Sequence, residues 1–155
     1  MSNSEMKQRL HDDMTAALKA RDELRKSTLR MALTAVTKAE VAGKEARELS
    51  DAEIIEVLTA EAKKRRESVT AYRDAGREEM ALKEQAEADI LSEYLPEQLT
   101  LEEITALVTE AIASTGAAEL GPRGIGKVMG ALQPQVKGKA DGGTVSAEVK
   151  RQLGA

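Results

Sequence analysis

A chain of 155 residues is long enough to bury a real core, in one domain or in two small ones. It has no cysteine, which excludes disulfides and thiolate metal sites, and its only aromatic residues are two tyrosines, which argues against the base-stacking platforms of single-strand RNA readers. The net charge of −4 hides an asymmetry: from Leu120 onward six basic residues face only Asp141 and Glu148, a local +4, so the first 119 residues carry −8.

That distribution suggests a polyanion-binding end on an acidic body, but on charge alone the plainer reading is a solvated basic rim on a small helical domain. Abundant Ala, Glu, Lys, Leu and Arg point to helices. No apolar run approaches the roughly 20 residues of a membrane helix. The opening Met1-Ser-Asn-Ser-Glu-Met lacks a basic region followed by an apolar one, so it does not read as a secretory signal. The expectation is a cytoplasmic protein.

The spacing of Met6, Leu10, Met14 and Leu18 predicts a first helix over 4–20, with those four residues inward. His11, the single histidine, lies off that stripe and reads as exposed. A second helix over 22–42 carries Leu29, Ala32, Leu33 and Val36 on its apolar face, with Gly43 at its end. Ser50-Asp-Ala-Glu53 is a capping box opening a third helix, which runs to about Ala75 and stops at Gly76. Its stripe is Ile55, Leu58, Ala62, Val69 and Tyr72, and Arg65 falls in the middle of that stripe. A fourth helix over 77–94 puts Met80, Leu91 and Tyr94 on one face, together with Glu84 and Glu87. A short turn makes these two helices antiparallel neighbours, so Arg65 is expected to pair with Glu84 or Glu87 between them. The alternative for the two carboxylates is a metal site, but no histidine lies near them, and a di-iron pattern needs Glu-x-x-His.

Leu95-Pro96 stops the fourth helix and marks a domain boundary, giving domains 1–95 and 96–155. Thr100-Leu-Glu-Glu103 is a second capping box. The helix it opens has Leu101, Ile104, Leu107, Val108 and Ile112 as its apolar face and Gly116 at its end. Gly121-Pro-Arg-Gly-Ile-Gly-Lys127 approaches the phosphate-binding loop of nucleotide hydrolases, but Val128 stands where the motif needs a hydroxyl, and a helix precedes it where the motif needs a strand. A dinucleotide fingerprint fails as well, because Met129 occupies the third glycine position. The simpler reading is a short helix over 124–133, ended by Pro134. Gly126 and Gly130 then form a bare flank open to close backbone approach. Lys137-Gly138-Lys139 is a basic turn, and Asp141 caps a last helix over 142–153, with Val145, Val149 and Leu153 inward. Lysine ammonium groups and helix-start amides are phosphate-binding groups.

Several stretches together resemble the GatB/YqeY family. They are Glu61-Ala-Lys-Lys-Arg-Arg-Glu-Ser68, Ala75-Gly-Arg77, Glu84 with Glu87, Tyr94-Leu-Pro96, Gly126-Lys-Val-Met-Gly130 and Val136-Lys-Gly-Lys-Ala-Asp141. They run in order through nearly the whole chain, which looks like a stand-alone bacterial member. The resemblance implies an all-α protein, an N-terminal bundle of about four helices plus a small C-terminal three-helix domain. That second domain is similar to the tail of the B subunit of the tRNA-dependent amidotransferase, which contacts tRNA. By motif match, Gly126, Lys127, Gly130, Lys137, Gly138 and Lys139 carry over, with Lys137 and Lys139 as phosphate contacts and the glycines as packing and turn residues. Arg123 joins Lys127, Lys137 and Lys139 among the candidate RNA contacts.

Amide transfer needs an ammonia source and an ATP-activated acyl group. The sequence offers no Cys, no Ser/Lys nucleophile arrangement and no intact nucleotide loop. The expectation is therefore a non-catalytic accessory without metal or cofactor, acting on tRNA or on a tRNA amidotransferase or synthetase assembly. The rivals are a protein-interaction adaptor working through the N-terminal helices, and a detachable tail that assists amidotransferase chemistry in trans.

Overall fold

The computed structural model describes residues 4–154, so the reading of Met1-Ser-Asn at the chain start lies outside the described residues. Among those described, every regular element is a helix: α1 Glu5–Ala20, α2 Glu23–Glu40, α3 Asp51–Asp74, α4 Glu78–Ser92, α5 Leu101–Thr115, α6 Ile125–Val136 and α7 Gly142–Leu153, with a 3-10 segment Ala117–Gly124 leading into α6. None of them is long and apolar enough to cross a membrane. The chain divides into two compact units, Met1–Leu95 and Pro96–Ala155.

The helix ends follow the local chemistry. Both capping boxes form: the Ser50 and Thr100 hydroxyls accept from the amides of Glu53 and Glu103, and each carboxylate accepts from the amide of its capping residue. At the end of α3 the Arg77 amide donates to the Tyr72 carbonyl at 2.8 Å and the Gly76 amide to that of Arg73 at 3.1 Å. Gly76 takes a φ of 75°, the left-handed turn that closes the helix, and α4 starts two residues later. Gly43 has no such role, because α2 ends earlier, at Glu40. That carboxylate is buried and accepts from the Lys7 ammonium at 2.8 Å and the Leu49 amide at 3.3 Å, while its carbonyl accepts from the Arg47 amide at 2.9 Å. One side chain thus ties the loop after α2 back to its root.

In the first unit the core gathers Leu10, Leu29, Val36, Ile54, Leu58 and Leu91, with Tyr94 at its edge. Arg9 lies over the Tyr94 ring at 4.4 Å, and the tyrosine hydroxyl donates to Asp13. Two expected stripes shift by one residue. Leu18 is exposed and Ala17 is buried, because steps of four drift by about 40° each, so the twelve residues from Met6 to Leu18 carry it about 120° around. Likewise Ile54 is fully buried where Ile55 was expected, and Ile55 is half-buried. Met80 is exposed: it sits in the first turn of α4 at the tip of the α3–α4 hairpin, past the end of the core at Ala62 and Ile90. Toward that tip the hairpin packs through Val69, Ala81 and Ala88.

In the second unit Ile104, Val108, Ile112, Val128, Leu132, Val145 and Val149 form the core among α5, α6 and α7. Leu101, expected inward, is 64% exposed because it opens α5 at the first position after the cap. Pro134 does not end α6, which continues to Val136. The carbonyl that loses its donor belongs to Gly130, which is exposed, and only one further turn of helix is affected.

The close backbone approach is also elsewhere than expected. A Cβ at Gly126 or Gly130 would meet nothing within 4 Å, whereas one at Gly124 would lie 2.9 Å from the Ala117 Cβ and 3.0 Å from its carbonyl oxygen. Gly124→Ala is therefore expected to destabilise the protein by about 1–3 kcal/mol through overpacking. Gly126→Ala and Gly130→Ala are expected to stabilise it by about 0.5–1 kcal/mol through helix propensity. Urea denaturation of the three variants separates them by the sign of the midpoint shift.

Candidate nucleic-acid interface

The outer face of α6 is built by subtraction. Val128, Leu132 and Val136 take the buried side, so at about 100° per residue the opposite side shows Gly126, Lys127, Gly130 and Pro134. Lys127 stands on this face, with Arg123 one turn earlier, at the end of the 3-10 segment; both are exposed. No side-chain cap covers the start of α6. With glycines beside it, the Lys127 ammonium is flanked by low ground.

Past the end of α6 comes the turn Lys137-Gly138-Lys139. Gly138 adopts a φ of 75°, which a side chain would strain. The turn is held from outside by the segment that precedes α5. The Leu99 amide donates to the Lys139 carbonyl at 2.9 Å, and the Gln98 side-chain amide donates to the Gly138 carbonyl at 2.9 Å and to that of Pro96 at 2.7 Å. Lys137 and Lys139 both stay exposed on this clamped turn. Neither Leu99 nor Gln98 carried a sequence signal of this role, since a clamp about 40 residues away along the chain leaves no local pattern.

The start of α7 carries the expected cap and is no open amide end for phosphate. Asp141 caps it, accepting from both the Thr144 amide and the Thr144 hydroxyl at 3.2 Å. A carboxylate thus occupies the place where an anion would sit. Arg151 is drawn to Glu148 on the same helix, and that bond holds the Glu148 carboxyl down to about 2.

The second constellation lies in the first unit. Arg65 Nε is 3.3 Å from a Glu87 oxygen and 3.8 Å from a Glu84 oxygen, between α3 and α4. Its guanidinium also reaches the Met31 sulfur of α2 at 3.7 Å. Neither Arg65 Nε nor Glu84 Oε2 completes a hydrogen bond, although both are buried, so the contact is mainly electrostatic. Burial pushes the Glu87 carboxyl above the ordinary carboxylate range and Glu84 pushes it further, with Arg65 pulling the other way. Among the described residues no group of three or more His, Cys, Asp or Glu could hold a metal ion. His11 is exposed.

Residues 7–153 match the family described as Yqey-like protein. A curated relative, named Altered inheritance of mitochondria protein 41, mitochondrial, from Pyrenophora tritici-repentis (strain Pt-1C-BFP), is 29% identical over 150 residues. The match covers 95% of this chain and 80% of the relative.

The sign of the Glu87 effect fixes a pH response. A carboxyl raised in the folded state keeps a proton that the unfolded chain has lost, so its contribution to stability falls as pH rises from about the ordinary value of 4.5 through the raised one. Glu87→Gln is expected to remove that loss and to be more stable than wild type at pH 7, while Arg65→Ala, which strands two carboxylates, costs about 3 kcal/mol. Denaturant midpoints for both variants at pH 4 and pH 7 check this; a Glu87→Gln variant weaker than wild type at pH 7 contradicts it.

Proposed function

The chain belongs to the YqeY-like protein family, and from that premise we propose that it is a non-catalytic accessory that binds tRNA through its C-terminal unit, related in role to the tail of the amidotransferase B subunit. The supporting observation is the set of exposed cations Arg123, Lys127, Lys137 and Lys139, placed along the outer face of α6 and the clamped turn after it. Ammonium and guanidinium groups displayed this way contact phosphates, which gives affinity and salt dependence but little base specificity. The fit is to a folded RNA read by its backbone, since neither tyrosine lies in this unit. The setting is a tRNA amidotransferase or synthetase assembly in the cytoplasm. The fungal relative is named as mitochondrial.

Fluorescence anisotropy with bulk bacterial tRNA over a salt series tests this reading. Wild type is expected to bind with an affinity that falls steeply with salt. Lys137→Ala/Lys139→Ala is expected to bind more weakly and to show a log–log salt slope shallower by about 1.4–1.8, the loss of two phosphate contacts. Absence of binding at low salt, or an unchanged slope in the double variant, rejects it.

A further inference from the structure

The outward side of α2 in the first unit carries two grooves, one on each flank of a ridge made by Thr34 and Lys38, which line both. The groove toward α3 has a volume of about 460 Å³ and an apolar floor that includes Met31, Ala35 and Val57; the groove toward α1, about 350 Å³, includes Met14 and Val41. Met31 is 44% and Val41 59% exposed, so the floor is apolar surface left in water.

The rims are basic. Arg30 lines the second groove, Lys38 both and Lys64 the first. Neither Arg30 nor Lys38 makes an ion pair among the described residues. The acidic group in the first groove, Glu61, lies 3.4 Å from Lys64, which neutralises it. These cations stand on a unit whose sequence is net negative, with 17 Lys and Arg against 20 Asp and Glu through Leu95. The patch is therefore a local reversal of sign over an apolar trough.

We infer that this face of α2 is a docking surface for an acidic amphipathic helix of a partner protein. An amphipathic helix lays side chains spaced three and four apart into such a trough, and outward carboxylates along its edges meet Arg30 and Lys38. Methionine on the floor adapts to more than one apolar side chain. Single-stranded RNA is disfavoured here because the trough has no aromatic face for a base. The inference is independent of the tRNA reading, which concerns the other unit.

The test is selection from a displayed library of amphipathic helices, with a fixed leucine stripe and the outward positions varied among Glu, Lys and Gln, on the full-length protein. Acidic helices are expected to be enriched. Their synthetic forms are expected to lose about tenfold or more in affinity for Arg30→Glu/Lys38→Glu and for Met31→Asp, and to bind Lys137→Ala/Lys139→Ala as they bind wild type. Circular dichroism verifies that each variant keeps the wild-type fold and unfolding midpoint, Met31→Asp in particular because the Met31 sulfur lies 3.7 Å from Arg65; Arg30→Glu/Lys38→Glu, at exposed positions, carries the test by itself. Enrichment of neutral or basic helices, no enrichment, or equal binding to the groove variants overturns the inference. Binding of an RNA oligonucleotide that Arg30→Glu/Lys38→Glu abolishes overturns it in favour of nucleic acid.

Discussion

The α3–α4 hairpin depends on one half-buried cation, Arg65, whose side chain is 14% exposed. Its apolar core ends at Ala62 and Ile90, yet both helices continue for several turns beyond. Over that length the packing residues are small, Ala81 and Ala88 with Val69, and Arg65 between Glu84 and Glu87 supplies the specific contact. Rotation of α4 by one residue moves both carboxylates about 100° away and leaves Arg65 buried alone, a costly outcome. The ion cluster therefore sets the register of two helices whose small side chains specify it poorly. Burial raises the Glu87 carboxyl, and the second carboxylate, Glu84, raises it further against the pull of the single guanidinium.

Much of this was legible because it is local. Capping boxes at Ser50 and Thr100, the left-handed Gly76 and the Asp141 cap all involve groups within a few residues of one another, and each was written in the chain as a recognisable spacing. Arg65 was legible for a different reason: a charged residue in an apolar stripe demands a partner, and the next helix offered two. The four-residue repeat from Met6 to Leu18 misleads because it rotates off the buried face, and Ala17, the residue that is buried there, is too small to stand out in an apolar pattern. Glu40 was missed although it lies four residues after the buried Val36, a position that itself signals burial.

The glycines show what a motif cannot supply. Their crowding on the sequence suggested close packing at Gly126 and Gly130, but a glycine's purpose is set by its neighbour in space, and Ala117 sits against Gly124. The other two instead keep the ground around Lys127 low. In the basic turn the backbone amides of Lys137 and Lys139 already donate to the Gln133 and Val136 carbonyls, and Asp141 takes the Thr144 amide at the start of α7. What the turn displays to an anion is consequently its side-chain charge.

Glu40 has a consequence for how the chain can vary. Its carboxylate and carbonyl pin both sides of the loop from Val41 to Leu49, through Lys7, Arg47 and Leu49, while residues 41–48 are exposed. The two ends of that loop are thus fixed in position by contacts at its root, and its tip contributes nothing to the core. Each doubling of such a loop costs only about 0.6 kcal/mol in closure entropy. Insertions here are cheap, and a protease cut in the tip leaves both halves of the bundle clasped by the same carboxylate.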